Sequence, residues 1–122
     1  MIIAIDFDGT VVTHEYPTIG RDIGAVPVLK RIGAKGHKII LWTMRSGESL
    51  QAAVDWYAKH EISLFGINQN PEQSWSQSPK AYAHLYIDDA ALGCPVLLAP
   101  DGGRPYVDWR RVARQLEERG VI

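Results

Sequence analysis

The sequence predicts an α/β fold: a doubly wound, Rossmann-like three-layer α/β/α sandwich with a mainly parallel sheet and no cap domain. Three observations lead there. Short continuous apolar runs recur along the chain, as expected of strands buried on both faces. Amphipathic stretches of helical period separate them. Chemically useful polar residues follow several of the runs directly, where open α/β sheets bind ligands outside the carboxyl ends of their strands. The 122 residues suffice for one domain, residues 1–122, which would bury about two-thirds of its unfolded surface.

Residues 2–5 (IIAI) form the first buried strand. Residues 9–21 hold Gly9, Pro17 and Gly20 and read as loop, with a small hairpin around Val11 and Val12. A helix starts between Asp22 and Ala25, carries Pro27 in its first turn and Val28, Leu29 and Ile32 on its apolar stripe, and stops at Gly36. Residues 38–43 (KIILWT) form the second strand. The next helix opens at Ser46-Gly47-Glu48, and Leu50, Ala53, Val54 and Tyr57 fall at helical spacing. Residues 64–67 form a third strand, 68–79 a polar loop, 80–84 one helical turn, 85–87 a fourth strand and 96–99 a fifth. Asp101-Gly102-Gly103 makes a turn. Asp108 caps a last helix that buries Trp109, Val112, Ala113 and Leu116 and ends at Gly120.

Composition narrows the classes of function. A net charge of −1 gives no broad footprint for nucleic acid or a membrane surface. No apolar run approaches the roughly 20 residues of a membrane helix, and no signal-like segment opens the chain, so a cytoplasmic protein is the expectation. The single cysteine, Cys94, excludes an internal disulfide and a cysteine-built zinc site and reads as a buried structural thiol.

The polar residues at the strand ends form a coherent chemical set. Asp6 and Asp8 follow the first strand, Thr43 ends the second, Lys80 precedes the fourth, and Asp88 and Asp89 follow it. Acids in this number favour a hard cation with oxygen ligands, and Mg²⁺ fits. A phosphate brings negative charge that the cation and Lys80 would offset. Thr43 and the N–H groups opening the next helix would hold its oxygens. One carboxylate would then attack phosphorus and form an aspartyl-phosphate.

These residues resemble the motifs of the haloacid dehalogenase superfamily of phosphatases. Asp6-Phe7-Asp8-Gly9-Thr10 looks like its first motif, Leu41-Trp42-Thr43 its second, Lys80 its third and Tyr86-Ile87-Asp88-Asp89 its fourth. The order and spacing match over nearly the whole chain. The resemblance implies that Asp6 is the nucleophile and that Asp8 protonates the leaving oxygen and then activates water. It implies Mg²⁺ held by Asp6, the Asp8 backbone carbonyl, Asp88 and Asp89. It implies that Gly9, Thr43, Met44, Arg45 and Lys80 contact the substrate. The second acid, Asp8, favours phosphoryl transfer over carbon–halogen cleavage. The segments 9–22 and 68–79 are too short for a cap domain, which leaves an open site.

Several residues keep two readings. Arg45 either meets substrate or is solvated surface. His14, Asn68 and Trp75 either contact substrate or serve structure, and His37, His60 and His84 read as structural or exposed. A signalling receiver domain shares the length and the doubly wound sheet. It would, however, place its phospho-accepting aspartate on the third strand, which ends here at Ile67-Asn68. A catalytically silent phosphate-binding module is the other alternative. Trp75, Tyr82 and Trp109 suggest apolar surface for a homo-oligomer whose neighbour covers the site, which would suit a small-molecule phosphate ester.

Overall fold

The structure, a computed structural model, describes residues 1–122. Four strands form one parallel sheet: β1 (Ile2–Ile5), β2 (Lys38–Leu41), β3 (Gly66–Ile67) and β4 (Leu85–Ile87), in the order β3-β2-β1-β4. The helices are α1 (Ala25–Ala34), α2 (Gly47–Lys59) and α3 (Trp109–Glu118). The expected α/β, Rossmann-like architecture is thus present.

Strand alternation divides the core. Ile3, Ile5, Ile39, Leu41 and Ile87 point to one face and join Val28, Leu29 and Ile32 of α1, Ala53, Trp56 and Tyr57 of α2, and Val112 and Leu116 of α3 in the main apolar cluster. Ala4 and Ile40 point to the other face and meet Ala81 and Ala83, with Trp42 and Phe65 packed alongside. The third layer is therefore the irregular connection between β3 and β4. Side chains satisfy its backbone. Asn70 Nδ2 donates to the Tyr82 carbonyl, Gln73 Oε1 accepts from the Tyr82 amide, and the Tyr86 hydroxyl donates to the Ala81 carbonyl while accepting from the Ala83 amide. These bonds take the groups a helix would pair internally, so the helical turn expected at 80–84 does not form.

The expected fifth strand also differs. β5 (Val96–Leu97) lies outside the main sheet and pairs antiparallel with β6 (Tyr106–Val107), a strand the sequence reading missed. Residues 88–95 are too few for the crossover of a dozen or more residues that a parallel partner needs, whereas the turn at Asp101–Gly103 folds the chain straight back. Val11 and Val12 are wholly buried, and in place of the expected hairpin only Val12 makes isolated bridges, to Asp8 and to Asp22. Asp108 caps α3 as expected, accepting from the Arg110 and Arg111 amides. Trp109 is buried, as its place on the apolar face of α3 predicts, so it offers no surface to a second copy, and its Nε1 donates to the Thr10 carbonyl. Cys94 is half-buried. No helix is long and apolar enough to cross a membrane.

Candidate active site

The chain lays down β1, β2 and β3 outward in order, then crosses back to place β4 on the free side of β1. That reversal opens a crevice at the carboxyl ends of β1 and β4. Asp6 leaves β1 there, its amide donating to the Ile87 carbonyl at 3.0 Å, and Asp88 and Asp89 leave β4 beside it. A cleft of about 600 Å³ opens at this edge, lined by Asp6, Asp8, Thr43, Asn68, Asp88 and Asp89 with Trp42 and Met44 at its wall.

One carboxylate oxygen from each of Asp6, Asp88 and Asp89 lies within 4.8 Å of the others, and all three side chains are partly buried. Thr10 ties the cluster together. Its hydroxyl lies 2.9 Å from Asp6 Oδ2 and 3.1 Å from Asp89 Oδ1, and it accepts from the Asp89 amide at 3.0 Å. Burial pushes the Asp6 carboxyl up from the ordinary 3.8 to about 7; the Asp88 charge adds to the rise and the Thr10 hydroxyl opposes it. Three acids this close are a natural seat for a hard dication with oxygen ligands. Behind them Tyr57 is wholly buried, its hydroxyl meets no partner, and burial with the Asp6 charge raises its phenol.

The far wall comes from β2 and β3. Asn68, in the left-handed conformation, accepts from the Thr43 amide through Oδ1 at 2.7 Å, which joins the two strand ends. The Thr43 hydroxyl accepts from the Arg45 amide at 3.1 Å and keeps its own hydrogen for a ligand. Met44 is fully exposed at the cleft mouth, and its amide meets no partner in the chain.

Three residues expected at the substrate stand elsewhere. The Gly9 amide donates to the Val12 carbonyl and its carbonyl accepts from the Val107 amide, so it is committed to the loop. A side chain there would collide with the His14 ring, and its φ of +77° suits glycine. Lys80 lies on the exposed connection with Nζ 5.5 Å from the centre of the Tyr86 ring, and it does not line the cleft. The segment's side-chain bonds hold its backbone in an irregular path, in place of the helix that would aim the lysine inward. Arg45 is almost wholly buried and pairs with Asp8 through two bonds, Nε to Oδ2 at 2.8 Å and Nη2 to Oδ1 at 2.7 Å.

The sequence reading gave no individual role at the site to Thr10, Trp42, Tyr57 or Arg104. Thr10 stands in the first motif, and only the fold reveals that its hydroxyl spans both acidic strand ends. Arg104, on the β5–β6 loop, is the sole lysine or arginine lining the cleft and makes no ion pair or side-chain hydrogen bond. His14 Nε2 lies 3.2 Å from both Asp89 Oδ2 and the Pro105 carbonyl, so it links that loop to the acids. His37 and His84 bond to backbone, and His60 packs on Trp56. Trp75 stacks edge-on against Tyr82 and remains 66% exposed.

No family model matches the chain, and no curated protein does. Among solved structures, a conserved protein coded by a locus of Bacteroides thetaiotaomicron is similar at 36% identity, over 98% of this chain and 91% of that one, with a TM-score of 0.79. At that identity and coverage, the chain belongs to the same family as this conserved Bacteroides thetaiotaomicron protein.

Proposed function

We propose that the protein is a phosphate monoester hydrolase of the haloacid dehalogenase type, dependent on Mg²⁺ and acting through an aspartyl-phosphate on Asp6. The observation that carries this reading is the convergence of the Asp6, Asp88 and Asp89 carboxylates in one cleft with the Thr43 hydroxyl and the free Met44 amide. Asp6, Asp88 and Asp89 suit a hard dication, and a cation there would offset the burial and the Asp88 charge that together hold the Asp6 carboxyl high. When bound, Mg²⁺ would keep Asp6 ionised and offset the charge of the phosphate.

The chain's own residues account for the steps. The Thr43 hydroxyl and Met44 amide orient the phosphate. An Asp6 oxygen attacks phosphorus as the bond to the leaving oxygen breaks, and that oxygen takes a proton from Asp8. Water then attacks the same phosphorus and gives its proton to Asp8. The bond from phosphorus to Asp6 breaks, and phosphate leaves. With Lys80 turned toward Tyr86, Arg104 is the side-chain cation on the cleft wall available to a substrate anion. The cleft volume suits a small phosphate ester. Trp75 and Tyr82 offer apolar surface for a second copy in a homo-oligomer. A single cysteine is in keeping with a cytoplasmic protein.

Lys80 outside the cleft is the feature that favours a catalytically silent phosphate-binding module. Incubating the purified protein with an aryl phosphate and Mg²⁺ separates the two. The hydrolase reading expects turnover that a chelator abolishes and that Asp6→Asn lowers by several orders of magnitude. Phosphate binding without turnover would establish the silent module instead.

A further inference from the structure

Arg45 joins three parts of the molecule that lie far apart along the chain. An arginine has five N–H donors, and here all five are engaged. Two meet the Asp8 carboxylate, Nη2 also reaches the Thr18 carbonyl at 2.8 Å, and Nη1 reaches the Pro17 carbonyl at 3.0 Å and the Ser49 carbonyl at 3.1 Å. The Phe7 and Tyr16 rings lie 5.1 and 5.2 Å from its Cζ. The group is only 3% exposed, so no donor remains for a ligand. Asp8 lines the cleft, Pro17 and Thr18 belong to the 9–22 loop, and Ser49 lies in the first turn of α2.

We propose that Arg45 is a positioning residue that makes the placement of Asp8 and the order of the 9–22 loop a single property: the loop is held over the first motif only while Asp8 is held, and the converse. A buried guanidinium deprived of its carboxylate is a costly arrangement, so loss of either partner releases the other contacts. Lysine cannot replace it. It carries three donors on one nitrogen and cannot span two carboxylate oxygens and three carbonyls at once. The catalytic consequence rests on the reading of Asp8 as the group that exchanges protons with the leaving oxygen; the coupling of Asp8 to the loop does not.

The test compares wild type, R45K, D8N and the double variant in two measurements. The first is amide hydrogen exchange at Thr13 and Arg21, whose amides donate to the Arg21 carbonyl and the Thr13 hydroxyl within the loop. Each single variant should speed exchange there by about tenfold or more, roughly one hydrogen bond to a charged group, with β2 and α1 unchanged. The double variant should be no faster than the faster single one. The second measurement is turnover of aryl and alkyl phosphates with Mg²⁺. R45K should lower kcat most for alkyl esters, leave KM within about threefold, and cause no further loss in the D8N background. Additive effects of the two substitutions, wild-type loop exchange in D8N, or a raised KM with unchanged kcat in R45K would each overturn the proposal. If wild type turns over no phosphate ester, the hydrolase reading fails, and the exchange measurement still decides the coupling.

Discussion

Asp6→Asn should make the metal-free protein more stable at pH 8, although it removes the proposed nucleophile. Burial and the Asp88 charge raise the Asp6 carboxyl from 3.8 to about 7 in the folded protein. Between about pH 4 and 7 the folded protein therefore holds a proton that the unfolded chain has released. Stability falls as pH rises through that window, and above it the ionised group destabilises the fold by its full amount. A rise of about three units corresponds to about 4 kcal/mol at 1.36 kcal/mol per unit. The open cleft lets water screen part of this, so about 2–4 kcal/mol is expected. For a domain of this size that is about 8–16 °C in Tm. Thermal unfolding in a chelator, for wild type and D6N at pH 4.5 and 8, measures it as a difference in which the other titrating groups cancel. The two proteins should melt together at about pH 4.5 and separate at about pH 8, with D6N higher. Mg²⁺ should then raise wild type and leave D6N nearly unmoved. A D6N protein that melts below wild type at both pH values would refute the claim that burial and the neighbouring Asp88 charge make an ionised Asp6 destabilising in the folded protein.

Asp8→Asn should cut turnover by about 10²–10⁴-fold, with alkyl phosphates losing more than aryl phosphates; an equal loss for both would remove Asp8 from proton transfer. Tyr57→Phe deletes a buried hydroxyl that meets no partner, so the variant should match or exceed wild-type stability by about 1 kcal/mol in denaturant titration; a clear loss would reveal a partner for that hydroxyl. Arg104→Ala should raise KM for phosphate esters by about tenfold, the value of one exposed charge-assisted contact, with kcat nearly unchanged, and steady-state kinetics would show otherwise if Arg104 only faces solvent.

Much of this arrangement was legible in the sequence because it depends on local pattern. The apolar runs at residues 2–5, 38–43 and 85–87 marked the central strands, with β2 ending two residues early at Leu41, and the acids at the ends of β1 and β4 marked the cleft edge. What the sequence hid depends on side chains that act across the fold. Arg45 read as a surface or substrate residue because nothing local shows that Asp8 and the Pro17 and Thr18 carbonyls converge on it. Lys80 read as a site residue from its position ahead of β4, yet Asn70, Gln73 and Tyr86 hold that connection in an irregular path. β6 escaped notice because Tyr106 and Val107 are too few to show a period. Arg104 carried no signal beyond its charge, since its approach to the cleft depends on the antiparallel return of β6 against β5.

The central claim is that Asp6 becomes covalently phosphorylated. An acyl phosphate is reduced by borohydride whereas a free carboxylate is not, so the protein can be quenched with borohydride during turnover of an aryl phosphate and its peptides mapped by mass spectrometry. Conversion of the Asp6 side chain to the alcohol, dependent on both substrate and Mg²⁺, is the predicted result. An unmodified Asp6 under turnover, or reduction at Asp8, Asp88 or Asp89 in its place, would contradict the account.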